Sequence, residues 1–332
     1  MQENQVSDDE FLRAADPYRR ELMAHCYRML GSVHDAEDLV QETYLRAWRA
    51  YDRFEGRSSL RTWLYRIATS ACLTALESRG RRPLPTGLGA PSSDPEAPLV
   101  ERTEVTWLEP VPDSMVGAAA DADPAAVVTS RESIRLALIA ALQHLPPRQR
   151  AVLLLRDVLK WRAAEVAELL DTTTTAVNST LQRAHAQLGR VSPTRDEITE
   201  PDDAGQRALL ERYVTAFEEY DMNALVELFT KDAAWEMPPF TGWYQGPEDI
   251  VRLIAMQCPA TGPGDMLMVP TQANGQPAFG LYMRDGDLYR AFNLHVLSLS
   301  GSGVSHVVTF FDLDLFGVFG LPMTHPARQE RP

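Results

Sequence analysis

Cysteine is scarce in this chain of 332 residues: Cys26, Cys72 and Cys258 are the only three, and no two form a Cys-x-x-Cys pair. That excludes a disulfide framework and a ligand-spaced zinc site, and it suits a reducing compartment. No apolar run approaches the roughly 20 residues needed to span a bilayer. The most apolar late stretch, Val304 to Leu321, is broken by Asp312 and Asp314. No secretory leader is recognisable, so a cytoplasmic protein without a membrane partner is expected. A Gly-x-x-x-x-Gly-Lys-Ser/Thr loop is also missing, so neither a nucleotide cofactor nor a metal is expected.

Positive charge is in short supply as well. Lys and Arg number 32 against 46 Asp and Glu, a net charge of −14. At first sight that opposes nucleic acid as a partner, but the charge is unevenly spread. Residues 1–82 carry 13 basic and 13 acidic side chains, and 83–130 carry one and eight. Residues 131–190 carry nine and five, 191–204 one and five, and 205–332 eight and fifteen. The basic excess falls on a helical stretch, and the acid falls on a linker and a C-terminal domain.

What is present is organised around Asp35 to Leu73. Ala36, Leu39/Val40, Thr43/Tyr44 and Ala47/Trp48 recur at helical spacing, with Asp38, Gln41 and Glu42 on the opposite face. Glu55-Gly56-Arg57-Ser58-Ser59 breaks the pattern, and a second helical run follows with Arg61, Trp63, Tyr65 and Arg66 interleaved. An acidic, polar helix face suits a protein partner. A basic, aromatic loop and helix suit nucleic acid, because arginines meet phosphates and aromatic rings stack on unpaired bases. Two amphipathic helices of an ordinary bundle would show the same periodicity, with Trp63 and above all Tyr65 serving as core.

Along the chain, residues 1–10 are polar and expected to fray. Phe11 to Met29 reads as one helix, stopped by Gly31-Ser32. Residues 1–82 then form a first helical domain. Residues 83–130 hold recurring prolines among acids and glycines, and read as an extended acidic linker. Its apolar island Trp107-Leu108-Glu109-Pro110 is expected to dock. Residues 131–189 form a second helical domain, in which Ala163–Leu170, a turn at Asp171-Thr172-Thr173 and a helix over Ala176–Leu188 have helix-turn-helix spacing. Asp171 or one of the threonines caps that last helix. Residues 190–204 are a short connector. In 205–332, helices come first and strands afterwards. Asp232–Pro239, Leu267–Gln272, Ala278–Met283, Leu288–Ser300 and Val304–Leu313 read as strands, with a hairpin at Asp285-Gly286-Asp287. That order implies an α+β cone built on a curved antiparallel sheet.

Three of these segments resemble known families. DAEDLVQETYLRAW and FEGRSSLRTWLYRIA resemble conserved region 2 of the extracytoplasmic-function group of sigma-70 factors, bacterial RNA polymerase specificity subunits. LPPRQRAVLLLRDVL followed by AVNSTLQRA resembles sigma region 4. DAAWEMPP and Tyr244-x-Gly-x-x-x-Ile250 resemble the SnoaL-like branch of the nuclear-transport-factor-2 fold. The implied chain is multidomain: two all-α sigma domains, a helical bundle and a helix-turn-helix, plus an NTF2-like cone.

The resemblance implies core RNA polymerase and promoter DNA as partners. Asp38, Gln41 and Glu42 match positions that dock on a coiled-coil clamp element of the polymerase. Phe54, Arg57, Ser58, Ser59, Arg61, Thr62, Trp63, Arg66 and Ser70 match the part that reads the minus-ten element. Asn is common in relatives where Ser70 stands. Asn178, Ser179, Gln182 and Arg183 match the face that reads the minus-thirty-five element, and Lys160, Arg162 and Arg148 are candidate backbone contacts. The linker is implied to thread through polymerase. The cone implies regulation of the sigma domains and room for a small-molecule ligand, with Asp232, Glu236, His295 and His306 as its candidate polar groups. A DGGGK motif known from a related subgroup is absent, and the sequence leaves open whether a separate anti-sigma protein exists. Two other readings stay on the table: a polymerase-independent helix-turn-helix regulator, and an isomerase- or cyclase-type enzyme joined to DNA-binding segments.

Overall fold

A computed structural model describes residues 10–116, 132–191, 203–301 and 303–327. The N-terminal nine residues, 117–130 of the expected linker and most of the expected connector lie outside the described residues. The chain divides into two units. One holds Met1–Arg82 with Leu108–Pro193, and the other holds Pro83–Trp107 with Thr194–Pro332.

In the first unit the helix expected over Phe11 to Met29 is interrupted. Pro17 has no N–H to donate, and Asp16–Tyr18 tightens to a 3₁₀ turn before α1 (Arg19–Leu30) begins. Gly31 ends α1 at φ 71°, where its N–H reaches the Tyr27 carbonyl at 2.8 Å. Ser32 then caps α2 (Val33–Ala50) by accepting from Asp35 N at 3.1 Å. The buried stripe of α2 is Val33, Ala36, Val40, Thr43, Tyr44 and Ala47. Ser59 caps α3 (Leu60–Glu77) in the same way, accepting from Thr62 N at 3.1 Å. Leu22, Met29, Leu64 and Tyr65 are fully buried between these helices. Each side chain of that size contributes about 1.5–3 kcal/mol by leaving water.

The same unit continues with α4 (Leu136–Leu142), α5 (Pro147–Leu153), a π-turn over Leu154–Val158, α6 (Ala163–Leu169) and α7 (Thr174–Val191). Pro147 opens α5 where a missing N–H costs nothing. Thr173 is the threonine that caps α7, accepting from Ala176 N at 3.1 Å. Arg150 is buried. It donates to Gln143 Oε1 at 2.8 Å, to the Leu145 carbonyl at 3.1 Å and to the Met29 carbonyl at the end of α1. One guanidinium thereby ties α5 to the helical bundle of residues 1–82.

The segment expected as a single spacer over 83–130 is instead shared between the two units. The expected island Trp107–Pro110 is divided: Trp107 belongs to the second unit, while on the first Leu108 is fully buried, Glu109 N donates to the Gly31 carbonyl at 3.0 Å, and Ser32 Oγ donates to Glu109 Oε2 at 2.6 Å. Residues 83–107 lie as a strap on the second unit. Ser92 N donates to the Trp243 carbonyl at 2.7 Å, Thr241 N to the Val100 carbonyl at 3.0 Å, and Arg102 N to the Pro239 carbonyl at 3.1 Å. Proline removes donors but leaves carbonyls and extended backbone, and a sheet rim can pair with both.

Among the described residues the second unit has four α-helices, α8 (Asp203–Glu218), α9 (Met222–Leu228), α10 (Pro247–Gln257) and the short α11 (Asp314–Val318), with one seven-stranded sheet. The strands are β1 (Phe229–Glu236), β2 (Trp243–Gln245), β3 (Met266–Ala273), β4 (Gln276–Asp285), β5 (Leu288–Ser300), β6 (Gly303–Phe310) and β7 (Thr324–Pro326). Their order is β2-β1-β6-β5-β4-β3, with β7 also on β5. The α+β class is as expected, but the sheet is mixed, because β1 and β6 run parallel. A parallel pair is joined through distant chain and leaves no turn signature. The Asp285–Asp287 hairpin is present with Gly286 at φ 62°. A second tight turn, Asn274-Gly275, has both residues at positive φ. Strand β6 ends at Phe310, short of the expected Leu313.

Candidate nucleic-acid interface and a lined cavity

On α2, Asp38 and Gln41 are exposed, and Glu42 is paired one turn on with Arg46 at 2.6 Å. An exposed pair at this spacing is worth a few tenths of a kcal/mol and yields readily to a stronger partner.

The loop before α3 and its first turns form an aromatic and basic surface. Phe54 stacks on Trp63 with ring centroids 4.8 Å apart, and Trp63 is half-buried rather than core. Tyr65 is fully buried and belongs to the core. Arg57 is exposed, Ser58 is half-buried, and Ser59 and Thr62 join hydroxyls at 2.9 Å. Arg61 is half-buried and committed to a partner on α1: it grips both Glu21 oxygens at 2.7–2.9 Å and lies over the Tyr65 ring. Arg66 reaches α6, with its Nη2 2.9 Å from Glu168 Oε1. Ser70 sits in a cleft with Pro147, Arg148 and Asp171. The nine residues matched to minus-ten reading therefore do not form one free surface. Phe54, Arg57, Ser58, Ser59, Thr62 and Trp63 lie together at its open end, and Arg66 and Ser70 face the helix-turn-helix module.

On α7 the matched residues Asn178, Ser179, Gln182 and Arg183 are all exposed on one face, opposite buried Val177 and Ala184. Arg183 Nη2 donates to Thr180 Oγ1 at 3.0 Å. Of the three candidate backbone contacts, Arg148 donates to the Leu170 carbonyl at 2.8 Å and Arg162 pairs with Glu165 at 2.9 Å, while Lys160 is exposed at φ 58°.

In the second unit the four polar candidates separate. Asp232 is exposed. Glu236 is fully buried and doubly engaged: His306 Nε2 lies 2.7 Å from its Oε1, and Thr86 N of the strap donates to its Oε2 at 2.7 Å. Of the four, only His295 lines a cavity of about 310 Å³, whose wall is mostly apolar (Phe217, Met237, Leu253, Leu281 and Phe292 among others) and also includes Gln257, Asn293 and Thr309. Burial lowers the His295 pKa to about 3, so the imidazole is neutral. Its Nδ1 meets Tyr213 Oη at 2.9 Å. Three residues lining the cavity each have a buried side-chain atom without a hydrogen-bond partner among the described residues: Trp235 Nε1, Asn293 Oδ1 and His295 Nε2. Trp235 and Asn293 were not singled out from sequence. The signal for Asn293 was its position two residues before His295 on a strand, which puts both on one face.

Among the described residues no group of His, Cys, Asp and Glu could hold a metal ion, and no helix is long and apolar enough to cross a membrane.

Comparison with known proteins accounts for this layout. The model of Sigma-70 region 2 matches residues 15–82, that of Sigma-70 region 4 matches 135–188, and that of the SnoaL-like domain matches 210–313. The "ECF RNA polymerase sigma factor SigG" of Mycobacterium tuberculosis is 62% identical over 314 residues, which span 94% of this chain and 84% of that protein. SigJ of the same organism is 30% identical over 253 residues, 74% of this chain and 72% of its own. The crystal structure of Mycobacterium tuberculosis SigJ covers 96% of this chain and 99% of its own, with a TM-score of 0.58 at 25% identity. The two sigma regions in this order define an RNA polymerase sigma factor, here extended by a SnoaL-like fold. The chain belongs to the extracytoplasmic-function (ECF) sigma factors.

Proposed function

We propose that this sigma factor binds core RNA polymerase in the cytoplasm through Asp38, Gln41 and Glu42 of α2, and that α3 and α7 read the two promoter elements. Carboxylates on α2 attract basic groups of the polymerase clamp and fix register. At the minus-ten element, Phe54 and Trp63 offer a stacking platform for an extruded base, and Arg57, Arg66 and the hydroxyls of Ser58, Ser59, Thr62 and Ser70 hold it and its backbone. Arg61 positions α3 through Glu21. In the major groove of the minus-thirty-five element, Asn178 and Gln182 pair with adenine edges, Arg183 takes guanine or phosphate, and Ser179 donates to either.

The observation that carries the regulatory part is the engagement of Arg66 by Glu168. A minus-ten residue is held by the module that must travel to the minus-thirty-five element, so the arrangement described is a resting state that opens on polymerase. The second unit regulates that opening. It holds residues 83–107, the linker that sigma factors thread through polymerase, and the linker has to be peeled off before it is threaded. The second unit is not a catalyst. Among the described residues lining its cavity there is one neutral imidazole and no carboxylate, which is too little for acid–base turnover. A separate anti-sigma protein is not required by this scheme.

The test is multi-round transcription with core polymerase and a promoter library, comparing the full chain with one ending at residue 202. Specific transcripts from both, more abundant from the shorter chain, are expected. Equal yields would remove the regulatory reading. Transcription by a stand-alone operator-binding mode, without polymerase contact through α2, would remove the assignment of Asp38, Gln41 and Glu42.

A further inference from the structure

The strap is held on the second unit mainly by its main chain. It runs antiparallel to residues 239–243: Arg102 N donates to the Pro239 carbonyl at 3.1 Å, Thr241 N to the Val100 carbonyl at 3.0 Å, and Ser92 N to the Trp243 carbonyl at 2.7 Å, with Glu101 bridged to Phe240. Trp243 Nε1 donates to the Gly89 carbonyl at 2.9 Å, and Gln257 Nε2 to the carbonyls of Pro95 and Ala97 at 3.4 and 3.2 Å. Strand β2 lies at the edge of the sheet, where N–H and C=O groups are a template for any extended segment that reaches them. Sheets capture peptides in this way: main-chain bonds supply affinity, and side-chain positions supply selectivity.

Four strap side chains are read. A Cβ added at Gly242 would lie 3.0 Å from Ser92 Oγ, so the position facing Gly242 takes only a small side chain. Pro95 is buried, Glu96 Oε1 lies 2.6 Å from Arg252 Nη2, and Leu99 is half-buried against the apolar core. Pro91, Ser93, Asp94 and Pro98 between them are exposed. The selected positions spell small-x-x-Pro-acid-x-x-apolar.

Nothing in this recognition requires the segment to belong to the same chain. In the regulatory reading above the linker leaves to be threaded through polymerase, and its departure uncovers Thr241, Trp243, Arg252 and Gln257 together. A sheet edge with a cation and an amide beside it is then open to an acidic extended segment.

We propose that this edge of the second unit is a docking site for another protein, which offers an extended segment of the pattern small-x-x-Pro-acid-x-x-apolar, and that this segment and the strap exclude each other. The segment pairs along residues 239–243, sets its small residue on Gly242 and its acid on Arg252. Being tethered, the strap competes at an effective concentration on the order of millimolar, which keeps the site closed to weak or mismatched segments. That displacement of the strap raises transcription rests on the regulatory reading above, whereas the docking itself does not.

The experiment uses the full-length chain and a fluorescein-labelled peptide of residues 88–103, followed by anisotropy. The parent chain is expected to bind it with a midpoint of about 1 mM, against its own strap. Ser92→Leu in the chain sets a bulky side chain against Gly242, loosens the strap and should lower the midpoint about tenfold. Adding Gly242→Val should reverse that gain, with near-UV circular dichroism verifying the fold. A scrambled peptide should bind about tenfold more weakly than the native order. At saturating peptide, hydrogen exchange of the parent chain's own residues 92–102 should speed about tenfold. Sedimentation of the parent chain is expected to give a monomer. Absence of binding to the Ser92→Leu chain overturns the site, and binding indifferent to Gly242→Val overturns its place on the edge. Equal binding of the scrambled peptide overturns the pattern, and unchanged exchange overturns the mutual exclusion. A dimer abolished by Gly242→Val would make a second copy the occupant and overturn the assignment to another protein. None of these readouts involves transcription, so failure here is distinct from failure of the regulatory reading.

Discussion

Arg66 Nη2 donates to both the carboxylate of Glu168, at 2.9 Å, and its main-chain carbonyl, at 3.3 Å. The pair joins the helix assigned to the minus-ten element with the helix-turn-helix module, and it is exposed on both sides.

Glu168→Ala should therefore remove the carboxylate's hold on Arg66, leaving only the weaker main-chain contact at 3.3 Å, with little harm to stability, within about 1 kcal/mol, because exposed pairs contribute little. Binding of a single-stranded minus-ten oligonucleotide by the free chain should tighten several-fold. Urea titration and fluorescence anisotropy read the two effects. Unchanged anisotropy would show that this contact does not hold the resting state.

Arg150 behaves differently. It is buried, burial lowers its pKa to about 10, and it satisfies carbonyls of Leu145 and Met29 together with the Gln143 amide. Arg150→Met should destabilise the first unit by about 2–4 kcal/mol, since several acceptors are left buried and unpaired. A matching change at exposed Arg183 should leave stability within about 0.5 kcal/mol but weaken minus-thirty-five duplex binding and flatten its salt dependence.

Glu236→Gln tests the anchor of the strap. The carboxylate accepts from Thr86 N and faces His306, and an amide can turn only one oxygen to them. Protease cleavage within residues 83–107 of the native chain should accelerate about tenfold. Unaltered cleavage would mean that Thr86 is not what holds the strap.

Acid should weaken both units. His25 and His295 are buried, and burial lowers each pKa to about 3 from 6.5. Above pH 6.5 each is neutral in the folded and unfolded chain alike. Between about 6.5 and 3 the unfolded chain binds a proton that the folded one refuses, so stability falls with falling pH by up to ~1.4 kcal/mol per pH unit for each histidine. His295→Gln should flatten that slope for the second unit, and His25→Gln for the first, in urea unfolding followed from pH 7.5 to 4.5.

Helix ends were the most legible features. Ser32, Ser59 and Thr173 cap helices where a short polar side chain precedes an apolar period, and Gly31 closes α1 at positive φ. Those signals are local, so sequence carries them. The residues matched by resemblance on α2 and α7 fell on exposed faces for the same reason. Arg61 and Arg66 show where local reading stops: periodicity marks both as basic surface, but their partners Glu21 and Glu168 lie 40 and 102 residues away. The parallel pairing of β1 with β6 and the splitting of the linker at Trp107 and Leu108 are likewise set by distant chain. His295 was visible as a polar residue on an apolar strand. Trp235 and Asn293 joined it only when the fold brought strands β1 and β5 to the same cavity.

The order in which the chain is made gives the strap a further meaning. Residues 83–107 belong to a fold whose remainder runs from Thr194 onward. On a ribosome adding about 5–20 residues per second, the first helical module and the linker emerge seconds before Glu236, Trp243, Arg252 and Gln257 exist to receive the strap. A nascent chain stalled before β1 would carry the linker with none of these partners, so the strap can dock only after the second unit has begun to be made.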